Sequence, residues 1–174
     1  MEIASQSALA MTICEVDFLT EKIWQTLHEV KDPEIPVVSL VEMGIVRDVQ
    51  IENDKAIITI TPTFAGCPAM HVMRREVEER VGAMGVEVEV RMTLTPPWTS
   101  DWIGDEARAK LKSFGLAPPP KHQGDINVIL LEEAFCPHCG SSNTTIKNTF
   151  GPTLCRAIFY CNECQQPFEQ FKAL

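Results

Sequence analysis

Two Cys-x-x-Cys pairs near the end of the chain, Cys136-Pro-His-Cys139 and Cys161-Asn-Glu-Cys164, stand 21 residues apart. This spacing constrains the fold more than any other feature of the sequence. Each Cys-x-x-Cys turn aims two thiolates at one point, and two such turns on adjacent hairpins complete a tetrahedral sulfur site for one ion. A segment of about 40 residues has too small a core to be stable alone, so the metal supplies much of its folding free energy. Zinc is the default occupant of four thiolates, and iron, alone or in a cluster, suits the same donors. Cys136, Cys139, Cys161 and Cys164 are the predicted ligands. His138, between the first two, and Cys155, inside the intervening loop, are read as non-ligands, Cys155 packing as a small apolar group.

The remaining cysteines are sparse, with Cys14 and Cys67 isolated in the first three quarters of the chain. This asymmetry predicts two modules, joined near the Pro118-Pro119-Pro120 run, which stops both helix and sheet ladder. Met1 to Cys14 carry Glu2 and no basic residue, unlike an export signal, and clustered cysteines in such a chain predict a reducing, cytoplasmic setting. No apolar run approaches the ~20 residues of a membrane span. The net charge of −9 repels phosphate backbones. The ribbon segment adds to this: Glu132, Glu133, Glu163 and Glu169 outnumber Lys147, Arg156 and Lys172, and four thiolates around a divalent cation contribute about −2 more. Neither a nucleic acid nor a membrane is the expected partner.

Periodicity outlines the first module. Leu19, Ile23, Leu27 and Val30 form one stripe of a helix starting near Asp17 and stopping before Asp32-Pro33. Val49 and Ile51, then Ile58 and Ile60, flank Glu52-Asn53-Asp54-Lys55 as an antiparallel hairpin. Met70, Met73, Val77, Val81 and Met84 recur at helical spacing, and Val86 to Leu94 alternate as a strand with one buried face. Ser100 to Gly115 reads as a further helix, with Ile103, Ala107, Leu111 and Phe114 on its inner face. The strand-helix-strand step predicts a parallel pair, so the expected class is α+β. A small mixed β-sheet is covered by helices and followed by a small C-terminal four-cysteine zinc ribbon. The expected division is an extension over 1–16, a domain over 17–117, a linker over 118–131 and the ribbon over 132–174.

Cys67 precedes Pro68, a residue favoured in the first helical turn, so its sulfur should face free backbone N–H groups at the positive end of a helix. With His71 and Arg74 on the following turns, a stabilised thiolate is expected, suited to a soft metal or a sulfur-bridged cluster. A buried cysteine that caps the helix is the bland alternative. Asp32 and Glu34 bring two carboxylates onto a proline-stiffened loop, which suits metal or acid-base work, although Asp32 could equally end the helical region and Glu34 be solvated. Trp98 and Trp102 read as packing or partner-facing aromatics. The chain has no Ser-His-Asp arrangement, phosphate-binding glycine loop, dinucleotide fingerprint or zincin pattern.

Longer blocks carry a resemblance. The run from Asp32-Pro-Glu-Ile-Pro36 through Asp48, followed by Thr61-Pro-Thr-Phe-Ala-Gly-Cys-Pro68, resembles the domain shared by SufT-type iron-sulfur assembly factors. The blocks Thr95-Pro-Pro-Trp98, Phe114-Gly-Leu-Ala-Pro-Pro119, Cys136 to Ser141, Phe150-Gly-Pro-Thr-Leu-Cys155 and Pro167-Phe168 are similar to one branch, the PaaD family of phenylacetyl-CoA epoxidase systems. The resemblance implies a cytoplasmic accessory protein of aerobic phenylacetate breakdown that does not itself epoxidise. Its partners would be the oxygenase and reductase subunits, and self-association is left open. It also implies maturation of a partner's iron-sulfur or di-iron centre, with Cys67 the functional thiol holding a transient cluster. Asp32 and Glu34 would lie in its surroundings, with His71 nearby and Thr63 shaping the loop. An alternative role is a structural docking subunit with an inert zinc, and an enzyme using Cys67 as nucleophile would have only His71 as base.

Overall fold

A computed structural model describes residues 13–121 and 134–172. Most of the expected linker over 118–131, from residue 122 on, and most of the N-terminal extension lie outside them, as do Glu132 and Glu133. Helix α1 (Ile13–Glu29) starts four residues before the expected Asp17 and buries Ile23 and Leu27, with Val30 sealing its end. Strands β3 (Val46–Glu52) and β4 (Lys55–Ile60) form the expected hairpin. Asn53 and Asp54 both adopt positive φ, the geometry a two-residue turn needs to match strand twist.

Helix α2 (Met70–Gly82) buries Met70, Met73, Val77 and Val81, then returns the chain to β5 (Glu87–Met92), parallel to β4. The sheet order β3-β4-β5 makes β4 central, and it is correspondingly buried on both faces. Packing of α1 and α2 against each other and against this sheet encloses the main core. Alternation over Val86 to Leu94 predicts one buried face, but only its middle is covered. Val90 is buried, whereas Met92 and Leu94 lie more than half exposed where β5 runs past the helices.

Two segments differ from their sequence patterns. Lys31–Asp32 (β1) and Ile35–Ser39 (β2) pair antiparallel, so the proline-stiffened stretch is a tight ladder and not a loop. Asp32 does not end a helix: its Oδ1 accepts hydrogen bonds from the N–H groups of Glu34 (2.8 Å) and Ile35 (3.1 Å), and this side-chain turn reverses the chain at Pro33. The helix expected from Ser100 is split into a 3-10 turn (Ser100–Trp102) and α3 (Asp105–Ser113) with Gly104 at its N-cap. Ile103, Ala107 and Leu111 still face the core, while Phe114 is half exposed beyond the helix end.

After α3, β6 (Leu116–Ala117) joins a second sheet of order β6-β9-β8-β7, made with β7 (Thr144–Asn148), β8 (Arg156–Cys161) and β9 (Pro167–Phe171). This sheet has its own small core of Ala117, Ala134, Ala157, Phe159 and Phe168 with Cys136 and Cys161. It is also anchored to the main one. Phe171 is fully buried and meets Trp98 edge-on at 5.8 Å, and Trp98 donates its indole N–H to the carbonyl of Met43 at 2.9 Å. Trp98 is thus a packing residue that ties three segments together, and the Trp102 ring is covered by the Arg47 guanidinium. Gly44 has φ +66, and a side chain there would collide with the Trp102 Cβ.

Candidate functional site

Both Cys-x-x-Cys turns of the second sheet converge. The Sγ atoms of Cys136, Cys139, Cys161 and Cys164 all lie within 4.8 Å of one another. Cys136 to Cys164 and Cys139 to Cys161 are each 3.6 Å apart. Thiolates at ~2.3 Å from a tetrahedral ion stand about 3.8 Å from each other, so the donor set fits a zinc-sized cation. Local backbone shapes the knuckles: Gly140, at φ +77, donates its N–H to the Cys136 carbonyl, and Gln165, also at positive φ, donates to that of Cys161. Backbone N–H groups, led by that of Cys164, pull the Cys161 thiol down to about 7. Burial and the neighbouring thiols push Cys164 up to about 12. Four adjacent thiols cannot ionise together without a cation to neutralise them, which is the role of a structural ion. His138 and Cys155 stand outside this cluster among the described residues.

A second constellation lies at the seam between the two sheets. Cys67 sits on the turn between β4 and α2 and lines a cavity of about 210 Å³. Glu34, Thr63 and Phe64 share its wall, and the loop from Gly151 to Cys155 closes it. Gly151 permits that closure, since a Cβ there would press on Arg156 at 3.0 Å, and its N–H bonds the Arg156 carbonyl at 2.8 Å. Arg156 in turn donates to the Glu34 carbonyl at 2.8 Å.

The backbone N–H groups of Ala69 and Met70 at the start of α2 pull the Cys67 pKa downward, as its position before Pro68 predicts. The thiol is nevertheless not driven toward ionisation. Burial raises its pKa, and the nearby carboxylates of Glu34 and Asp32 raise it further, outweighing the two amides. His71 is exposed on α2 and is not among the cavity-lining residues, and Arg74 pairs with Glu78 at 2.8 Å. Asp32 is itself buried, and that burial lifts its pKa despite two backbone hydrogen bonds.

The structure therefore brings together Cys67, Glu34 and Thr63, places Asp32 close enough to act on the thiol by charge, and leaves His71 outside. Cys155 packs in the core as the sequence predicts, but its place beside Cys67 is not legible there. The residue is buried, its sulfur contacts the Thr153 hydroxyl at 3.1 Å, and it lines the same cavity as Cys67. No spacing rule links two cysteines so far apart. No described helix is long and apolar enough to cross a membrane.

Comparison with known proteins agrees with this architecture. Residues 20–92 match the family described as iron-sulfur cluster assembly protein, and residues 130–172 match the PaaD zinc beta ribbon domain. A protein of Escherichia coli (strain K12), assigned as a subunit of 1,2-phenylacetyl-CoA epoxidase, is 37% identical over 88% of this chain and 92% of its own. The Fe-S protein maturation auxiliary factor YitW of Bacillus subtilis (strain 168) is 34% identical over 53% of this chain and 93% of its own. Among solved structures, a domain of unknown function DUF59 from Bacillus anthracis superposes with TM-score 0.54 at 29% identity, covering 57% of this chain and 97% of that one. With an assembly-type domain and a four-cysteine ribbon joined in one chain, and with similarity along most of its length to an assigned epoxidase component, this chain belongs to the PaaD family.

Proposed function

We propose that this chain is a non-catalytic accessory component of a phenylacetyl-CoA epoxidase system, acting in aerobic phenylacetate breakdown. In this reading it assists assembly of an iron-sulfur or di-iron centre in a partner, either the oxygenase or the reductase subunit. Cys67 is the cargo thiol, Glu34 and Asp32 set the charge around it, and Thr63 shapes the loop. The ribbon holds a resident zinc through Cys136, Cys139, Cys161 and Cys164, which fixes the second sheet against the first. The observation that carries the reading is the position of Cys67 on the wall of a cavity beside the assembly-type domain, where burial and the Glu34 and Asp32 carboxylates raise the thiol pKa. Further support comes from the two relatives, one assigned to the epoxidase and the other to Fe-S protein maturation.

The raised thiol pKa suits a carrier. A thiol protonated at rest resists oxidation and ionises when a cation arrives to offset the carboxylates. Around the cavity mouth, Phe64 and Leu154 are exposed apolar residues available to a client.

The test is metal and acid-labile sulfide content of oxygen-free preparations of wild type and Cys67→Ala, with iron content of the epoxidase subunits matured by each. The expected result is zinc near one per chain in both, with iron loss from the client confined to the variant. Fully loaded client beside a folded, zinc-containing Cys67→Ala protein would instead make this chain a docking subunit with an inert zinc.

A further inference from the structure

The cavity beside Cys67 has a second sulfur. Cys155 arrives from the ribbon loop, on the opposite side of the seam, and both residues line the one space of about 210 Å³. That volume is several times the ~30 Å³ share of a liquid water, room enough for a thiol-bound ion. Cys155 is set apart from the other ribbon cysteines, outside the four-sulfur cluster. The loop carrying it is positioned and not free: Gly151 bonds the Arg156 carbonyl, the Lys172 amide bonds the Cys155 carbonyl at 2.9 Å, and the Thr153 hydroxyl meets the sulfur.

From this arrangement we infer that Cys155 and Cys67 form a two-thiol clamp for a soft, thiophilic metal such as ferrous iron, one ligand from each module. The inference rests on the reading of Cys67 as cargo thiol and adds the partner that a lone thiol lacks, since two sulfurs hold a soft ion where one exchanges it readily. On binding, two S–H bonds break, two sulfur-metal bonds form, the protons leave to solvent, and no electron moves. Burial raises both thiol pKa values; the carboxylates of Asp32 and Glu34 add to this, while the Thr153 hydroxyl and the Arg156 guanidinium oppose it at Cys155, and the same carboxylates favour an arriving cation. Cargo held across the seam also ties occupancy to the joint between modules, because opening the joint separates the ligands.

Two measurements test this on the full-length, zinc-loaded protein. In the first, anaerobic ferrous iron is added to wild type, Cys67→Ser and Cys155→Ser, and bound iron and thiolate-to-iron absorption are read after desalting, with zinc content as the check on folding. Both variants are expected to retain iron at least about tenfold more weakly than wild type while keeping zinc. If Cys155→Ser keeps wild-type iron and Cys67→Ser loses it, the clamp is refuted and the single-thiol carrier stands. If wild type takes up no iron beyond the ribbon, both readings fall.

The second needs no variant to fold. Phenylarsine oxide joins two adjacent thiols and releases one water, so wild type should take one arsenical per chain, mapping by peptide mass to Cys67 and Cys155 with zinc retained. Its failure to link them overturns the clamp.

Discussion

Arg156 donates from Nη2 to the backbone carbonyl of Glu34 at 2.8 Å and from Nη1 to the carboxylate of Glu169 at 2.9 Å. A single buried guanidinium therefore spans the strand pair β1-β2 of the assembly-type domain and the ribbon strands β8 and β9. It also stands next to Cys155 in the chain, so the joint and the cavity share one structural element.

Replacing Arg156 by alanine should cost about 2–3 kcal/mol, because charge-assisted hydrogen bonds are lost and the Glu34 carbonyl is left to find water. Arg156→Lys should recover part of this, since an ammonium can reach one acceptor but not fork to two. Urea denaturation of the three proteins checks the order. Amide exchange should rise at Gly151 and Leu116 in the alanine variant if the seam opens as a unit.

The charges around Cys67 make a signed prediction. Glu34→Gln and Asp32→Asn each remove a negative charge that opposes the thiolate, so each should lower the Cys67 pKa. At fixed pH near 8, alkylation of Cys67 should then run faster in both variants than in wild type. Asparagine keeps an oxygen for the N–H groups of Glu34 and Ile35, so the turn at Pro33 survives the change. Peptide-resolved iodoacetamide rates against pH provide the measurement, and slower alkylation in either variant would contradict the assigned sign.

Metal removal should spread beyond the ribbon. Parallel pairing of β6 with β9 and the Trp98–Phe171 contact connect the four-cysteine sheet to α3 and the main core. A strong chelator should abolish the β7-β8-β9 ladder, for which the ion supplies much of the folding energy. It should also loosen the Trp98 environment, seen as a change in tryptophan fluorescence. Among the described residues, helices α1 and α2 pack chiefly on each other and on β2, β3 and β5, so most of the far-ultraviolet helical signal should persist. Cys161→Ser should reproduce this state without chelator.

How far these features can be read in advance depends on the range of the forces that set them. Helices α1 and α2 and the β3-β4 hairpin are legible because their apolar periods and the Asn53-Asp54 turn act over a few residues. The four-cysteine cluster is legible because metal coordination ties spacing directly to geometry. Strands β1 and β2 are hidden by Pro33 and Pro36, since the ladder survives only through the Asp32 side-chain turn. The Cys67 thiol shows the same limit. Its place at the start of α2 predicts the two amides that lower its pKa, but burial and the carboxylates of Asp32 and Glu34 reverse the net effect. Those arrive through tertiary packing, as does Cys155 from the far module.

Ser39 and Glu42 make a reciprocal pair of the kind that opens helical turns: the Ser39 N–H donates to Glu42 Oε2 at 2.8 Å, and the Glu42 N–H donates to the Ser39 hydroxyl at 3.1 Å. Lys110 of α3 closes onto the same carboxylate, joining β2 to α3 across the core edge. Burial alone would raise the Glu42 pKa, but the Lys110 ammonium and the Ser39 amide outweigh it and hold the carboxyl below its usual value of 4.5. A carboxyl with a lowered folded pKa binds fewer protons folded than unfolded, so its contribution is complete above about 4.5 and is lost as pH falls through the folded value. Glu42→Ala should therefore destabilise the protein by about 1–2 kcal/mol at pH 7, combining a lost cap with a lost partner for Lys110. Glu42→Gln should lose less, since its amide oxygen can still accept from Ser39. In urea titrations repeated at descending pH, the gap between wild type and Glu42→Gln should close below the carboxylate range. A gap that stayed constant to pH 3 would mean that the Glu42 charge contributes nothing to the fold.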